Sequence, residues 1–421
     1  MSLLGGIYNR AVLPYHWGRA VLAGMRFRFP AKGLRVIGVT GTNGKTTTSY
    51  MIWKMLSEAG IKTGLLTTVG WGVDRIHEHK EHVTTLGREE LNRRIIDMKK
   101  KGIEVLVLET TSHALSQFRT LGIPIEVAVI TNLTHEHLDY HGTFERYAKA
   151  KAKLFKGAKY GIVNADDSNA KYFMKAEKTL TYGIKKGGLR AEKVKLGGAG
   201  VEYEVEGMKI QTRISGEFNV YNSLAAVAVG KYFDLSDKKI EQGIYALDEV
   251  EGRMNSIDEG QDFAAIVDFA HTPDSFEKLL PDMRAVTKGR LIVLFGSAGG
   301  RRDPSKRAPQ GELAGKYADV IILTEEDDRD TPAEEIFADI ETGITKTKFT
   351  KRNLYKIVNR PKAVDFAVEM ARRNDVVLFL GKGHERTIER EEGDVKYYEA
   401  DEVRRALKKR FASGSKPANK K

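Results

Sequence analysis

GTNGKTTT, residues 41–48, stands between LRVIGVT at 34–40, a short apolar run rich in β-branched residues, and SYMIWKML at 49–56, whose apolar residues recur at helical spacing. Strand, glycine turn and helix start therefore follow one another, an order suited to cradling phosphate. Gly41 and Gly44, with Thr42 and Asn43 between them, let backbone N–H groups approach a triphosphate, and the helix N-terminus adds partial positive charge. Lys45 then reaches toward the β and γ phosphates, and Thr46, followed by Thr47, offers a hydroxyl to Mg2+. Val39 stands where the general phosphate-loop pattern has glycine, so the form is the shorter G-x-x-G-K-T. A plain glycine-softened turn is the competing reading, and the strand and helix on either side favour nucleotide binding.

The chain has 421 residues, 41% apolar and 30% charged, which suits a soluble protein of about three domains or fewer. It has no run of eighteen apolar residues and no signal peptide, so a cytoplasmic location is expected. With no cysteine, disulfides, thiolate metal sites and cysteine nucleophiles are all excluded. The net charge of +12 favours anionic ligands or surfaces. Part of that charge is a solvated tail, GSKPANKK, and lysines such as those of MKKK read as exposed faces. No nucleic-acid module accompanies the basic residues, so no nucleic-acid partner is expected.

Residues 1–33 are basic and amphipathic, as in YHWGRAVLAGMRFRF, and read as a helix packed on the following domain, with contact to an anionic membrane face through residues 1–30 as the competing reading. From residue 34 to about 250 apolar strands alternate with helical segments, which predicts a mostly parallel sheet covered on both faces. Ligands in such sheets lie beyond the carboxyl ends of strands, which singles out Thr67, Thr68, Glu109, Thr110 and Asn132. VEYEVEGMKIQTRI, at 201–214, alternates as an inserted hairpin. A second α/β pattern starts near Phe263 with AAIVDFAH, RLIVLFGSA, DVIILTEE, NLYKIVN and DVVLFLGKG, after EVEGRMNSIDEGQD interrupts the periodicity.

Glu109 ends an apolar strand, where a carboxylate has little purpose unless it meets a cation that Thr46 can share. The segment TNLTHEHLDYHGTFERYAKAKAKLF, at 131–155, is dense in histidine, acid and lysine, yet His135, His137 and His141 lack zinc-site spacing.

GTNGKTTT, ETTSHAL, TNLTHEHLDYHGTFERYAKAKAKLF, GEFNVYNSLAA, EGRM, VDFAHTPDSF, GSAGGRRDPSKR and LGKGHE, taken in order over about residues 35–409, resemble the Mur ligase family, and within it the MurE type. The resemblance implies a phosphate-loop central ATPase domain with a mostly parallel sheet at 34–250 and a Rossmann-like α/β amino-acid-binding domain at 251–412, and the composition of 413–421 makes it a basic tail. It also implies a reaction in which an acceptor carboxylate takes the γ-phosphate of ATP to give an acyl phosphate, which the amine of an amino acid then displaces. ATP and two Mg2+ ions are the implied cofactors, and a muramoyl-peptide acceptor and a free amino acid the implied partners. A monomer is expected.

Carried over residue by residue, the resemblance makes Lys45 and Thr46 phosphate and metal contacts, and Glu109 and His137 Mg2+ ligands. Lys151 falls where the family has a carbamylated lysine, a change that converts a cation into an anion able to help hold the second ion. An exposed helix lysine like its neighbours Lys149 and Lys153 is the competing reading. Asn132 and Asn219 match positions near the nucleotide, Arg253 the arginine that reaches the phosphates, Asp268 the ribose contact, and His271 the same crevice. The resemblance thus divides the ATP contacts between two domains.

On the acceptor side Thr84, Thr85, Ser112, Gln117 and Arg119 match residues that hold the muramoyl peptide. For the incoming amino acid the matches are Arg302, Asp327, Arg329, Gly381 and Glu385. Diaminopimelate enzymes carry DNPR where this chain reads Glu326, Asp327, Asp328, Arg329. The retained arginine suits a second carboxylate and the added acids suit a lysine ammonium, which leaves meso-diaminopimelate or L-lysine, with the arginine favouring the former. Some thirty residues stand where the family usually has a uridine-binding domain, which predicts an acceptor read through its peptide rather than its nucleotide. A folylpolyglutamate synthase-like ligase and a non-catalytic ATP-binding scaffold are the alternatives.

Overall fold

LRVIGVT forms β1 (Arg35–Thr40), buried along its whole length after Arg35, as a strand covered on both faces must be. The computed structural model describes residues 13–78, 86–134, 136–197, 200–300 and 303–412. They fall into two compact units, Met1–Asp248 and Glu249–Lys421. Residues 1–12 of the basic N-terminal segment and 413–421 of the tail lie outside the described residues.

The first unit continues with β2 (Thr63–Leu66), β3 (Gly70–Gly72), β4 (Ile76–Glu78), β5 (Val105–Glu109), β6 (Ile125–Ile130), β7 (Tyr160–Asn164), β8 (Lys178–Gly183) and β9 (Leu189–Arg190). Their order across the sheet is β4-β3-β2-β5-β1-β6-β7-β8-β9. The sheet is parallel from β2 to β9, and β3 and β4 add an antiparallel edge. The chain visits β5 on one side of β1 and then β6 on the other, so the order reverses about β1, where such sheets bind ligands. Register places Val39 beside Glu109 and Thr40 beside Ile130, which brings the ends of three strands together under the glycine turn.

One side of the sheet packs Val36, Leu66, Leu106 and Leu108 against Leu91, Ile95 and Met98 of the helix Arg88–Lys100. A second cluster joins Ala128, Ile130 and Val163 to Tyr147, Phe155 and Phe173. Each of these large apolar side chains contributes about 1.5–3 kcal/mol on leaving water. The hairpin foreseen at 201–214 is β11 (Gly200–Val205) and β12 (Met208–Gln211), with β10 (Glu192–Gly197) as a third antiparallel strand. Its turn uses Glu206 and Gly207, both at positive φ, as the twist of a two-residue hairpin demands.

The second unit holds β13 (Asn255–Ile257), β14 (Ala264–Asp268), β15 (Leu291–Phe295), β16 (Val320–Leu323), β17 (Leu354–Lys356) and β18 (Val376–Leu380), in the order β13-β14-β18-β15-β16-β17. All but β13 run parallel. The stretch that breaks the sequence periodicity near 250–260 therefore contains an edge strand, too short at three residues for alternation to show. A hairpin of β19 (Thr387–Arg390) and β20 (Gly393–Lys396) completes the strands described. Beneath them Arg360, fully buried, donates through Nε to Glu399 Oε2 at 2.8 Å and through Nη2 to the Leu380 carbonyl at 2.7 Å. No helix among the described residues is long and apolar enough to cross a membrane.

Candidate active site

The glycine turn is built so that only glycine fits. Gly44, at φ 80°, precedes the helix Lys45–Glu58, and a Cβ there would lie 2.3 Å from Asn222 Oδ1; on Gly41 it would lie 1.8 Å from Thr131 Oγ1. The neighbours that crowd the turn also fix it. Asn132 accepts from the Asn43 N–H at 3.0 Å and donates to the Asn43 carbonyl at 3.0 Å, while Thr131 Oγ1 donates to that same carbonyl at 2.6 Å. Thr42 Oγ1 accepts from the Thr134 N–H at 2.9 Å. Lys45 Nζ donates to the Thr42 carbonyl at 2.7 Å, folding the ammonium over the turn. The helix starts at Lys45, earlier than its apolar periodicity, because Thr46, Thr47 and Thr48 are buried polar residues.

Glu109 is almost wholly buried at the end of β5 and collects three donors. Thr46 Oγ1 donates to its Oε2 at 2.9 Å, the Thr68 N–H donates to the same oxygen at 3.0 Å, and Thr68 Oγ1 donates to Oε1 at 3.0 Å. The carboxylate and hydroxyl that the sequence suggested would share a cation thus touch. Among the described residues no group of three or more His, Cys, Asp or Glu side chains forms a metal cage. One carboxylate and one hydroxyl beside a phosphate loop nevertheless match Mg2+, which keeps waters and phosphate oxygens as its remaining ligands.

Lys151 is buried on the helix Phe144–Ala152, whereas Lys149 and Lys153 point to solvent. Its Nζ donates to the Gly41 carbonyl at 2.6 Å, directly behind the turn. Burial, and then the neighbouring Lys45 ammonium, hold its pKa well below the usual lysine range. His137, at φ 55°, places its ring 4.7 Å from that of His113 and its Nε2 3.6 Å from Glu136 Oε2. His141 packs beside both His113 and Tyr147. Burial, reinforced by His113 and His137, pushes its pKa down to about 3, so the ring is neutral.

Ser112, at the start of the helix Ser112–Ser116, is buried with no hydrogen-bond partner for its Oγ. Arg119 donates through Nε and Nη2 to Gln117 Oε1 at 3.0 and 2.7 Å, and Gln117 Nε2 donates to the Tyr140 hydroxyl at 3.2 Å. Gln117 and Arg119 thus stand together beside His113, whose ring is 4.2 Å from that of Tyr140. Thr84 and Thr85 lie outside the described residues. Asn219 is turned inward: its Nδ2 donates to the Ser215 carbonyl at 2.6 Å and its Oδ1 accepts from Asn222 at 2.8 Å. Asn222, one turn on, is the residue that meets the glycine turn.

In the second unit Arg253 lies 4.7 Å over the Phe269 ring, and Asp268 accepts from the Met254 and Ala270 N–H groups at 2.8 and 2.7 Å. Burial raises the Asp268 pKa against the opposing pull of Arg253. His271 Nδ1 meets the Phe269 carbonyl at 2.7 Å. Gly252 is held close here too, since a Cβ on it would lie 2.2 Å from the His384 nitrogen.

The acidic loop after β16 surrounds Lys382, a buried lysine that donates to Asp327 at 2.8 Å and pairs with Glu385 at 2.5 Å. One cation serves two acids, and the outcome is uneven. Asp327 stays below the usual carboxylate range, whereas burial and the carboxylates around it push Glu385 up to about 7. Asp328 is pushed up to about 6, again chiefly by burial. Gly381, at φ 105°, leaves space that Glu326 Oε2 occupies, and that oxygen is buried without a hydrogen bond. Arg329 is not presented as a free guanidinium: Nε and Nη2 both reach Glu389 Oε2 at 2.7 Å, and Nη1 reaches the Gly299 and Asp327 carbonyls at 3.3 Å. Arg302 lies outside the described residues.

Sequence reasoning missed Asn222, His113, Tyr140, Lys382 and Glu389. The first four lie inside motifs already quoted, GEFNVYNSLAA, ETTSHAL, the histidine-rich segment and LGKGHE; Glu389 has no local signal, because its partner is sixty residues away.

Residues 39–230 match the Mur ligase middle domain, and 252–383 the Mur ligase glutamate ligase domain. The chain is 39% identical over 392 residues to UDP-N-acetylmuramoyl-L-alanyl-D-glutamate--2,6-diaminopimelate ligase 1 of Clostridium acetobutylicum, which covers 90% of this chain and 79% of that protein. A solved structure of a UDP-N-acetylmuramoyl-L-alanyl-D-glutamate--2,6-diaminopimelate ligase superposes with a TM-score of 0.64 at 32% identity, over 90% of this chain and 79% of its own. The ADP complex of Mycobacterium tuberculosis folylpolyglutamate synthase shares the fold over 99% of this chain and all of its own, with a TM-score of 0.69 but only 16% identity. Shape alone is common to both kinds of ligase, whereas sequence, over nine-tenths of the chain, sides with one: the chain belongs to the Mur ligase family.

Proposed function

We propose that the chain uses ATP to join a diamino acid, diaminopimelate before lysine, to the glutamyl carboxylate of a muramoyl dipeptide, a step in peptidoglycan precursor synthesis. The observation that carries the reading is the contact of Thr46 with Glu109 at 2.9 Å beneath a glycine turn backed by buried Lys151. The likeness to the diaminopimelate ligases supports the substrate assignment.

The N–H groups of the turn and the Lys45 ammonium bind the β and γ phosphates and neutralise charge as the γ-phosphoryl group moves to the acceptor carboxylate. Thr46 and Glu109 would hold Mg2+, which when bound draws charge off the phosphate oxygens. His137 and a carbamylated Lys151 are the proposed ligands of a second ion. Gln117 and Arg119 orient the anionic acceptor, and Arg253, Asp268 and His271 are assigned to the nucleotide. The incoming amine attacks the acyl phosphate, the carbon–oxygen bond breaks, and phosphate leaves.

The test is ADP release by wild type and Lys45→Ala across a matrix of acceptors and amino acids. Release by wild type that needs a muramoyl dipeptide and a diamino acid together, and that disappears in a folded Lys45→Ala variant, is the expected result. Release with a folate acceptor and glutamate, or undiminished release by the variant, refutes the assignment.

A further inference from the structure

The helix Leu13–Arg26 is turned inside out. A surface helix ordinarily buries its large apolar residues and exposes polar ones. Here Ala20, Ala23 and Gly24 face inward, while Tyr15, Trp17, Leu22 and Met25 are each more than half exposed. Local packing fixes this orientation. The chain turns back through Arg28 and Phe29, both at positive φ, and the Phe29 ring occupies the space beside Gly24 and Gly122, where added Cβ atoms would lie 2.5 and 2.6 Å from it. The Phe29 N–H donates to the Gly24 carbonyl at 2.9 Å. Rolling the helix to bury its large residues would empty that socket.

The exposed face is ordered. Tyr15 and Leu22 are seven residues apart and Leu22 and Met25 three, so they share one stripe, and Arg19 and Arg26, also seven apart, border it. Arg26 meets Glu89 at 3.6 Å across solvent, a contact too exposed to neutralise it. No acidic residue precedes Glu58 in the chain. Next to the end of the helix, Lys99 Nζ donates to the Lys32 carbonyl at 2.8 Å, which adds the exposed Lys99–Lys101 cluster to the same basic neighbourhood.

Exposed aliphatic and aromatic side chains bordered by Arg19 and Arg26, on a helix that carries no acidic residue, fit the boundary of an anionic bilayer, where Tyr settles at headgroup depth and each arginine gains from the surface potential. We propose that this helix docks the enzyme reversibly on an anionic lipid surface. The inference does not rest on the ligase reading.

The test is flotation of the full chain with vesicles of phosphatidylcholine alone and of phosphatidylcholine with phosphatidylglycerol, at low and high salt. Binding to the anionic vesicles only, weakened by salt, is expected. Arg19→Gln and Arg26→Gln should each weaken partition about fivefold, and Leu22→Ser about tenfold, with ATP-dependent activity in solution unchanged. No flotation, equal binding to neutral vesicles, or binding unaltered by these substitutions overturns the proposal. So does a concentration-dependent dimer that Leu22→Ser dissociates, since the face would then be covered by a second copy.

Discussion

Lys151 shows how much one register position decides. Three lysines alternate along the helix Phe144–Ala152 and just past it, and only the middle one is buried, against the Gly41 carbonyl. Burial holds the pKa of the Lys151 amine well below the usual lysine range, which favours the neutral form that adds carbon dioxide, and the proposed carbamate would supply an anion for a second metal. Lys151→Ala is therefore expected to lose nearly all activity and to regain part of it with added short-chain carboxylates; an unmodified lysine in a high-resolution map together with a fully active alanine variant would contradict this. Arg329 is the residue proposed to tell the two diamino acids apart. To receive a distal carboxylate it must release Glu389, so Glu389→Gln should favour diaminopimelate over lysine. Arg329→Ala should cost diaminopimelate about 2–5 kcal/mol of kcat/KM and lysine far less; equal losses would remove Arg329 from recognition.

At the scale of elements, the meeting of β1, the glycine turn and the helix Lys45–Glu58 was legible in sequence, because a β-branched run, two glycines and helical spacing follow one another within about twenty residues. What braces the turn was not. Asn222, on the helix Phe218–Tyr232, stands far away in sequence and carries no periodicity signal, yet its Oδ1 occupies the space that makes Gly44 obligatory. Gly44→Ala should cost about 1–2 kcal/mol for the left-handed backbone alone, and the clash adds displacement of the turn, so nucleotide affinity should fall at least tenfold. Gly60→Ala has a similar φ of 90° and no neighbour within 4 Å; calorimetric titration should find its nucleotide affinity unchanged. Equal losses in both variants would mean that strain, not the Asn222 contact, matters. The edge strand β13 and the pairing of Glu389 with Arg329 were likewise hidden, the one by its brevity and the other by its separation in sequence.

For the whole molecule, the two α/β patterns and the ends of most strands could be read from apolar runs alone, since both sheets are buried on two faces. Charge balance in the second unit could not, because it depends on which acids share Lys382. Glu385 and Asp328 titrate near 7 and 6 when folded, so the folded state binds more protons than the unfolded state from about pH 4 upward. Their contribution to stability is fully present below the unfolded carboxylate range and is lost as pH rises through about 7. Urea unfolding should show that decline, and Glu385→Gln should flatten it; an unchanged slope would place the titration elsewhere. The most direct test of the central claim follows oxygen. With 18O in the acceptor carboxylate, the phosphate released from ATP should carry one labelled oxygen for each amide formed to the diamino acid. Unlabelled phosphate, or ATP consumed with no new amide detected by mass spectrometry, would contradict it.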